Sequence, residues 1–499
     1  MIQIVSTIGR NFEMTAFKLF FAALLCFGFS PVRAADRVEF SADRIHGLFV
    51  FVETLAGNPH RSIDLKNAFE KSKFNTVTSK QKIVEFRSLD FVLNKFLEFE
   101  GGLPERNLGN AARSILVAQA SFSKDLDDFR ERSISIIPMP ELTKLMQILR
   151  YFEPIYDAFI WNPNKFKLQK IAIEFKTKSA KWKINDLFGR AAKFYGAQWP
   201  EEQKFRVSLY PIPAKSQHSS AQAYGAVESV GVVIDETDRE GRFGVIFHEL
   251  CHSLYDSQPL SMQKVISERF KQSSSKFSRL AYGYLNEALA TAVGNGWAYS
   301  KAKGNVDKAE WYNDEKIEGF SRAIYPVVSE YLNSPKAIDQ KLIDSLISSF
   351  EKVFPESNLE FGPALTELVL ISDGVVNLRD FRSELRQTFR ISSMTASTPI
   401  NDDETLKLIR SVPATVFAIV TQKQRGQIDT LDDVFKGISE HLELLPPVGN
   451  FLGMFDVGLR KVIILVVDDP ALVPKAFKIM GQKKKVEKLN SFVELKFQP

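Results

Sequence analysis

Apolar residues recur at three-to-four spacing in four early segments, 44–55, 82–99, 111–129 and 141–159. That spacing is the pattern of helices with one buried face. Pro138-Met139-Pro140 and Trp161-Asn162-Pro163 punctuate the series, and the second is a candidate boundary. Beyond it, 165–175 and 181–184 read as strands and 185–195 as a short helix. The clearest strands are 205–210 and 230–234, both rich in β-branched or aromatic residues. A polar, turn-forming stretch at 235–242 can cap a helix that begins near 241–243. A Ser-rich loop, Gln272-Ser273-Ser274-Ser275-Lys276, then precedes helices at 280–300 and 314–332. The remainder mixes helices with strands at 415–421 and 461–467, and no internal repeat is visible. The expected class is α+β, predominantly helical. Its parts are an N-terminal leader (1–34), a helical region (35–163), a central α+β domain (164–345) and a C-terminal α/β region (346–499), the last either a separate domain or the second half of the central one.

The chain has 499 residues, enough for several domains and a large core. Phenylalanine is the compositional outlier, at 41 copies, which favours aromatic cores over an aromatic-lined groove. The net charge is +5. Arg10, Lys18 and Arg33 against Glu13 place +2 of it within residues 1–34, and the lysine run 483–485 lacks interleaved aromatics. Nucleic acid is therefore not an expected partner. Lys18, the apolar run 19–29 and Val32-Arg33-Ala34 before Ala35 have the three parts of a secretory signal, with Met14 as an alternative start. Export to the periplasm or the exterior is the expectation. No later apolar run reaches the roughly 20 residues that a membrane span needs. Leu24-Leu25-Cys26 departs from a lipoprotein box at its large leucine. Cleavage after Ala34 would leave Cys251 as the sole cysteine and exclude an internal disulfide.

The chemistry concentrates in His248-Glu249-Leu250-Cys251-His252. At about 100° per residue His252 lies roughly 40° from His248 and one turn on, so both imidazoles can reach one metal ion. Glu249 flanks the same face and can take a proton from a water activated there. With six histidines in the chain, such a match arises by chance about five times in a thousand sequences. The alternative is a buried helix with two satisfied histidines and a paired glutamate. Two histidines leave a catalytic zinc site incomplete. None of the others, at 46, 60, 218 and 441, has suitable spacing. Glu287, in Tyr284-Leu285-Asn286-Glu287-Ala288-Leu289-Ala290, is an acid in an apolar helix, where an unpaired carboxylate is costly. Asp256 and Glu268 are the fallbacks.

His248-Glu249-x-x-His252 followed by Asn286-Glu287-x-x-Ala290 resembles the gluzincin branch of zinc metallopeptidases, which includes the thermolysin-like enzymes and the zinc aminopeptidases. The resemblance covers about 205–335. It implies a zincin-like catalytic domain and one zinc ion held by His248, His252 and Glu287, with Glu249 as general base and acid. It further implies a peptide or protein substrate laid along a sheet edge, with 230–234 the candidate edge strand. The 35 positions from His252 to Glu287 exceed the familiar spacing, and the Ser-rich loop within them reads as an insertion or a lid. An oxyanion donor is also expected, with Tyr325 as the choice and Tyr282, Tyr299, Tyr331 and His441 as rivals. Asn286 could orient a ligand, and Cys251, at about 300° on the helix, suits packing better than nucleophilic chemistry. Two other readings keep the same fold: an amidase acting on a non-protein amide, and a binding or scaffold protein without turnover.

Overall fold

The computed structural model describes residues 36–58, 61–89, 91, 112–213, 216, 220–443, 446, 448–458 and 460–497. The leader 1–34, His60, His218 and the end of the expected 82–99 helix lie outside these residues. Among the described residues no helix is long and apolar enough to cross a membrane.

The chain is α+β with two mixed sheets, and its buried residues divide into two lobes. The first lobe has one continuous core running from Val38 to Phe354. Its four strands are β1 (Val38–Ala42), β2 (Phe205–Ile212), β3 (Ala221–Tyr224) and β4 (Val227–Val233), in spatial order β1-β2-β4-β3. β1, β2 and β4 run parallel, and β3 turns back antiparallel on β4. β4 is thus interior, and the outer edge belongs to the four-residue β3. This corrects the expectation that 230–234 forms the edge.

The boundary expected at 161–163 is also corrected. Helical backbone runs without a break from Met139 through a wide turn at Asp157–Trp161 to Trp182. The expected strand at 165–175 therefore lies in helical backbone, and the one at 181–184 falls on the junction of two helices at the left-handed Lys183. Leu168, Ile171, Ala172 and Phe175 are buried at helical spacing, whereas Phe166 and Ile173 point outward at 74% and 65% exposure. The N-terminal helices and the central sheet share a core, because β1 pairs with β2 in register from Val38↔Phe205 onward. Phenylalanines fill this core. Phe51 meets Phe69 and Phe152 edge-on, with centroids 5.7 and 6.2 Å apart.

The second lobe begins near Phe361, so the boundary expected at 345/346 falls inside the helix Gln340–Val353. Its strands are β5 (Glu367–Ser372), β6 (Ser393–Ser397), β7 (Thr415–Thr421), β8 (Phe451–Val457), β9 (Arg460–Val467) and β10 (Ser491–Glu494). The order is β10-β8-β9-β7-β5-β6, parallel from β9 to β6 and antiparallel at β8 and β10. Strand residues alternate between two apolar layers. Leu368, Phe417 and Ile463 face the helices Leu378–Thr388 and Val473–Lys483. Val369, Val416 and Ile464 face the helix Asp403–Ser411. Both faces are covered, as a parallel sheet requires.

Candidate metal centre

The motif lies on the helix Arg239–Asp256, whose start is capped by Asp238 accepting from Gly241 N at 3.0 Å. Trp182 stacks on Phe243 at 4.5 Å and anchors the helix to the N-terminal side of the lobe. On its other side runs a wide helical turn, Ala292–Ala298, which continues the helix Ser278–Thr291. Gly294 permits this crossing. A Cβ there would sit 2.4 Å from His248 N and 2.7 Å from Gly244 O, both backbone atoms that cannot swing aside.

The close approach brings Glu287 to the two histidines. His248 Nε2 and His252 Nε2 are 3.0 Å apart, and Glu287 Oε2 lies 3.5 and 3.7 Å from them. A tetrahedral ion with ligand bonds of about 2.0–2.2 Å separates its ligand atoms by roughly 3.3–3.6 Å, so the three atoms sit at the spacing of a ligand set. The remaining ring nitrogens are held from behind. His252 Nδ1 meets Asn286 Oδ1 at 3.0 Å, and His248 Nδ1 faces Thr291 Oγ1 at 3.4 Å. With Asn286 accepting from Nδ1–H, the bare Nε2 of His252 points at a carboxylate. Glu287 Oε2 is buried and has no hydrogen-bond partner. Lone pairs thus converge on a point that a cation would satisfy, and the donor set fits a divalent ion.

Glu249 also lies close enough to group with the histidines, the three donor atoms falling within 4.8 Å of one another. Its side chain is engaged otherwise, since Oε2 accepts a hydrogen bond from Ala223 N on β3 at 3.0 Å. Glu249 and Glu287 thus both lie within reach of the two histidines, and Glu249 is oriented by the strand amide on its Oε2.

Electrostatics agree with a cation site. Burial would raise the Glu287 carboxyl, but the charges of His252, His248 and Arg390 hold it well below the usual carboxylate range. Burial would lower the His252 imidazole, yet Glu287 and Glu249 raise it above its ordinary value.

These groups open on a cavity of about 490 Å³, lined also by Ala221, Gln222, Asn295, Trp311 and Tyr312. Tyr312 stacks on His248 with centroids 5.9 Å apart. Its hydroxyl is kept protonated by burial and by the neighbouring Glu287 carboxylate. Tyr325 is placed differently from expectation. It packs edge-on against Trp311 at 5.4 Å, on the core side, and does not line the cavity. Nor do Tyr282, Tyr299, Tyr331 or His441. Asp256 lines the cavity rim, while Glu268 is exposed on the helix Leu260–Gln272. Cys251 is fully buried and packs in the core. The helix Leu260–Gln272 takes up 13 residues of the interval between His252 and Glu287. The Ser-rich loop after it docks through Ser275 Oγ on Glu351 at 3.1 Å and contributes nothing to the cavity lining.

Two contributors escaped the sequence. Tyr312 comes from the loop after Lys303, where no periodicity marks it. Arg390 comes from the second lobe and places Nη2 3.4 Å from Glu287 Oε1. The chain matches no protein-family model, no curated protein and no solved structure.

Proposed function

We propose that the chain is an exported zinc-dependent metallopeptidase, with zinc held by His248, His252 and Glu287 and with Glu249 as general base. The observation that carries the reading is the convergence of three ligand atoms at 3.0, 3.5 and 3.7 Å beside a carboxylate fixed by a strand amide. Zinc bound there would act as a Lewis acid, making water acidic near neutral pH and polarising a carbonyl.

The protein's own groups account for the rest. Glu249 takes the proton of the attacking water and returns it to the leaving amine; the strand amide on Oε2 leaves Oε1 free for that transfer. Tyr312 holds its proton and can donate to the oxyanion that develops on the carbonyl. Ala221, Gln222 and Ala223 line the cavity on the outer side of β3, where an extended chain can pair with strand backbone. This edge favours a peptide over a compact amide.

The test combines metal content with turnover in purified protein. Wild type should carry one zinc and cleave members of a peptide library. Glu249→Gln should keep the metal and lose cleavage, and His248→Ala should lose both. A wild-type protein without zinc, or one whose zinc survives His248→Ala, refutes the site. Zinc present with no cleavage of any peptide refutes the peptidase and leaves the binding and amidase readings.

A further inference from the structure

A second cleft lies between the lobes, at the amino-terminal ends of β7 and β9. It measures about 40 Å³ and is lined by Lys276, Arg279, Asn358, Thr415, Asp456 and Lys461. That is room for about three water-sized spheres, hence for one small anion and not for a nucleotide.

The charges around it are unbalanced. Lys461 is nearly buried and bound to Asp456 at 2.6 Å, and Asp456 also accepts from Asn358 Nδ2 at 3.3 Å. Arg460 donates to the carbonyls of Ile409, Val412 and Ala414 and carries its charge toward Arg279. Arg279 is the exception. No hydrogen bond or ion pair to any described residue engages its guanidinium, and among the described residues the opposing charge that acts on it is that of Glu367. Glu367 stays beyond ion-pair distance, with Oε1 buried and without a partner. Burial therefore pulls Arg279 below its usual range, and Glu367 offsets this only in part. Lys276 and Lys461 repel each other across the opening. Three cations, Lys276, Arg279 and Lys461, line the cleft against one carboxylate, Asp456, which is already bound to Lys461.

We propose that this cleft is a binding site for a small oxyanion of the phosphate class, held chiefly by Arg279 and Lys276 across the junction of the lobes. The anion supplies the missing counter-charge and joins the two bodies. Arg279 begins the helix Ser278–Thr291 that carries Glu287 about two turns later. The second lobe reaches Glu287 through Arg390. An occupied cleft thus steadies both attachments of that carboxylate. This last consequence rests on the proposed metal site, whereas the binding itself does not.

The test uses inorganic phosphate and the full chain, with chloride at matched ionic strength as the control. Phosphate should bind in calorimetry and raise the melting midpoint with concentration. Arg279→Gln should weaken that binding about tenfold or more, because a charged donor fork is lost. Lys276→Gln alters an exposed side chain, so its folding is safe, and it should weaken binding severalfold. In phosphate-free buffer Arg279→Gln should melt no lower than wild type, since an uncompensated cation has been removed. The proposal is overturned if wild type shows no binding up to about 10 mM phosphate, or if both variants bind as wild type does. It is equally overturned if Arg279→Gln destabilises the anion-free protein and Glu367→Gln restores it. That pattern means Arg279 serves only to neutralise Glu367.

Discussion

Replacing Asn286 with alanine probes the metal centre without touching a ligand. Asn286 Oδ1 holds His252 Nδ1 at 3.0 Å, which fixes the ring so that Nε2 lies 3.0 Å from His248 Nε2 and 3.7 Å from Glu287 Oε2. Without that bond the ring is free to rotate, and its ligand atom leaves the triangle. Partners of this kind change metal affinity by about 10–100-fold, or roughly 1.4–2.7 kcal/mol. A hydrogen bond shielded from water, at about 0.5–1.5 kcal/mol net plus the cost of a loosened ring, falls in the same range. Thr291→Val supplies an internal scale. Its 3.4 Å contact to His248 Nδ1 is long, so the loss there should stay below about threefold. Competition of the protein against a chromophoric zinc chelator at fixed pH reads both constants. The reasoning fails if Asn286→Ala binds zinc within about threefold of wild type. It fails as well if Thr291→Val is the more damaging of the two.

Tyr312→Phe should lower kcat by about 10²–10³ while leaving zinc content intact; Tyr325→Phe, outside the cavity, should retain near wild-type turnover, and steady-state kinetics on one cleaved peptide would separate them. Gly294→Ala places a Cβ 2.4 Å from His248 N. It should cost about 1–3 kcal/mol in urea unfolding and weaken metal binding as well, because the two helices must move apart. The metal-free protein should show two opposed pH effects. Glu287 is depressed, so its contribution is present above about pH 4.5 and is lost as pH falls toward its folded value. His252 is raised, so its contribution is full below about pH 6.5 and is lost as pH rises through its folded value. In chelator the stability difference between wild type and His252→Ala should therefore shrink from pH 5.5 to pH 8.5; an unchanged difference contradicts the assignment. Zinc affinity should move the other way and rise with pH, because protons compete for the same nitrogen.

Much of the candidate centre is local and hence legible in the chain. A four-residue separation on a helix puts two imidazoles one turn apart whatever surrounds them, so His248 and His252 follow from spacing, and Glu249 from its neighbouring position. The cap at Asp238 and the strands 205–210, 415–421 and 461–467 are equally local, each marked by polar or β-branched residues. Glu287 was legible for another reason, as a carboxylate whose cost in an apolar helix calls for a partner. The helix Asn162–Trp182 escaped because Phe166 and Ile173 are apolar yet exposed, which blurs the buried row Leu168, Ile171, Ala172 and Phe175 into a strand-like run. β3 escaped because four half-buried residues carry too little pattern.

Tertiary structure alone decided the rest. Which glutamate completes the triangle depends on Gly294 letting two backbones touch, a contact 46 residues from His248 in the chain. Glu249 takes its direction from the amide of Ala223 on β3, a contact that its own helix does not encode. Tyr312 reaches the cavity from an aperiodic loop, and Arg390 reaches Glu287 from another lobe. Sequence periodicity records which face a residue presents, and that is a property of its own element. What lies opposite that face is set by packing between elements, which no local spacing encodes.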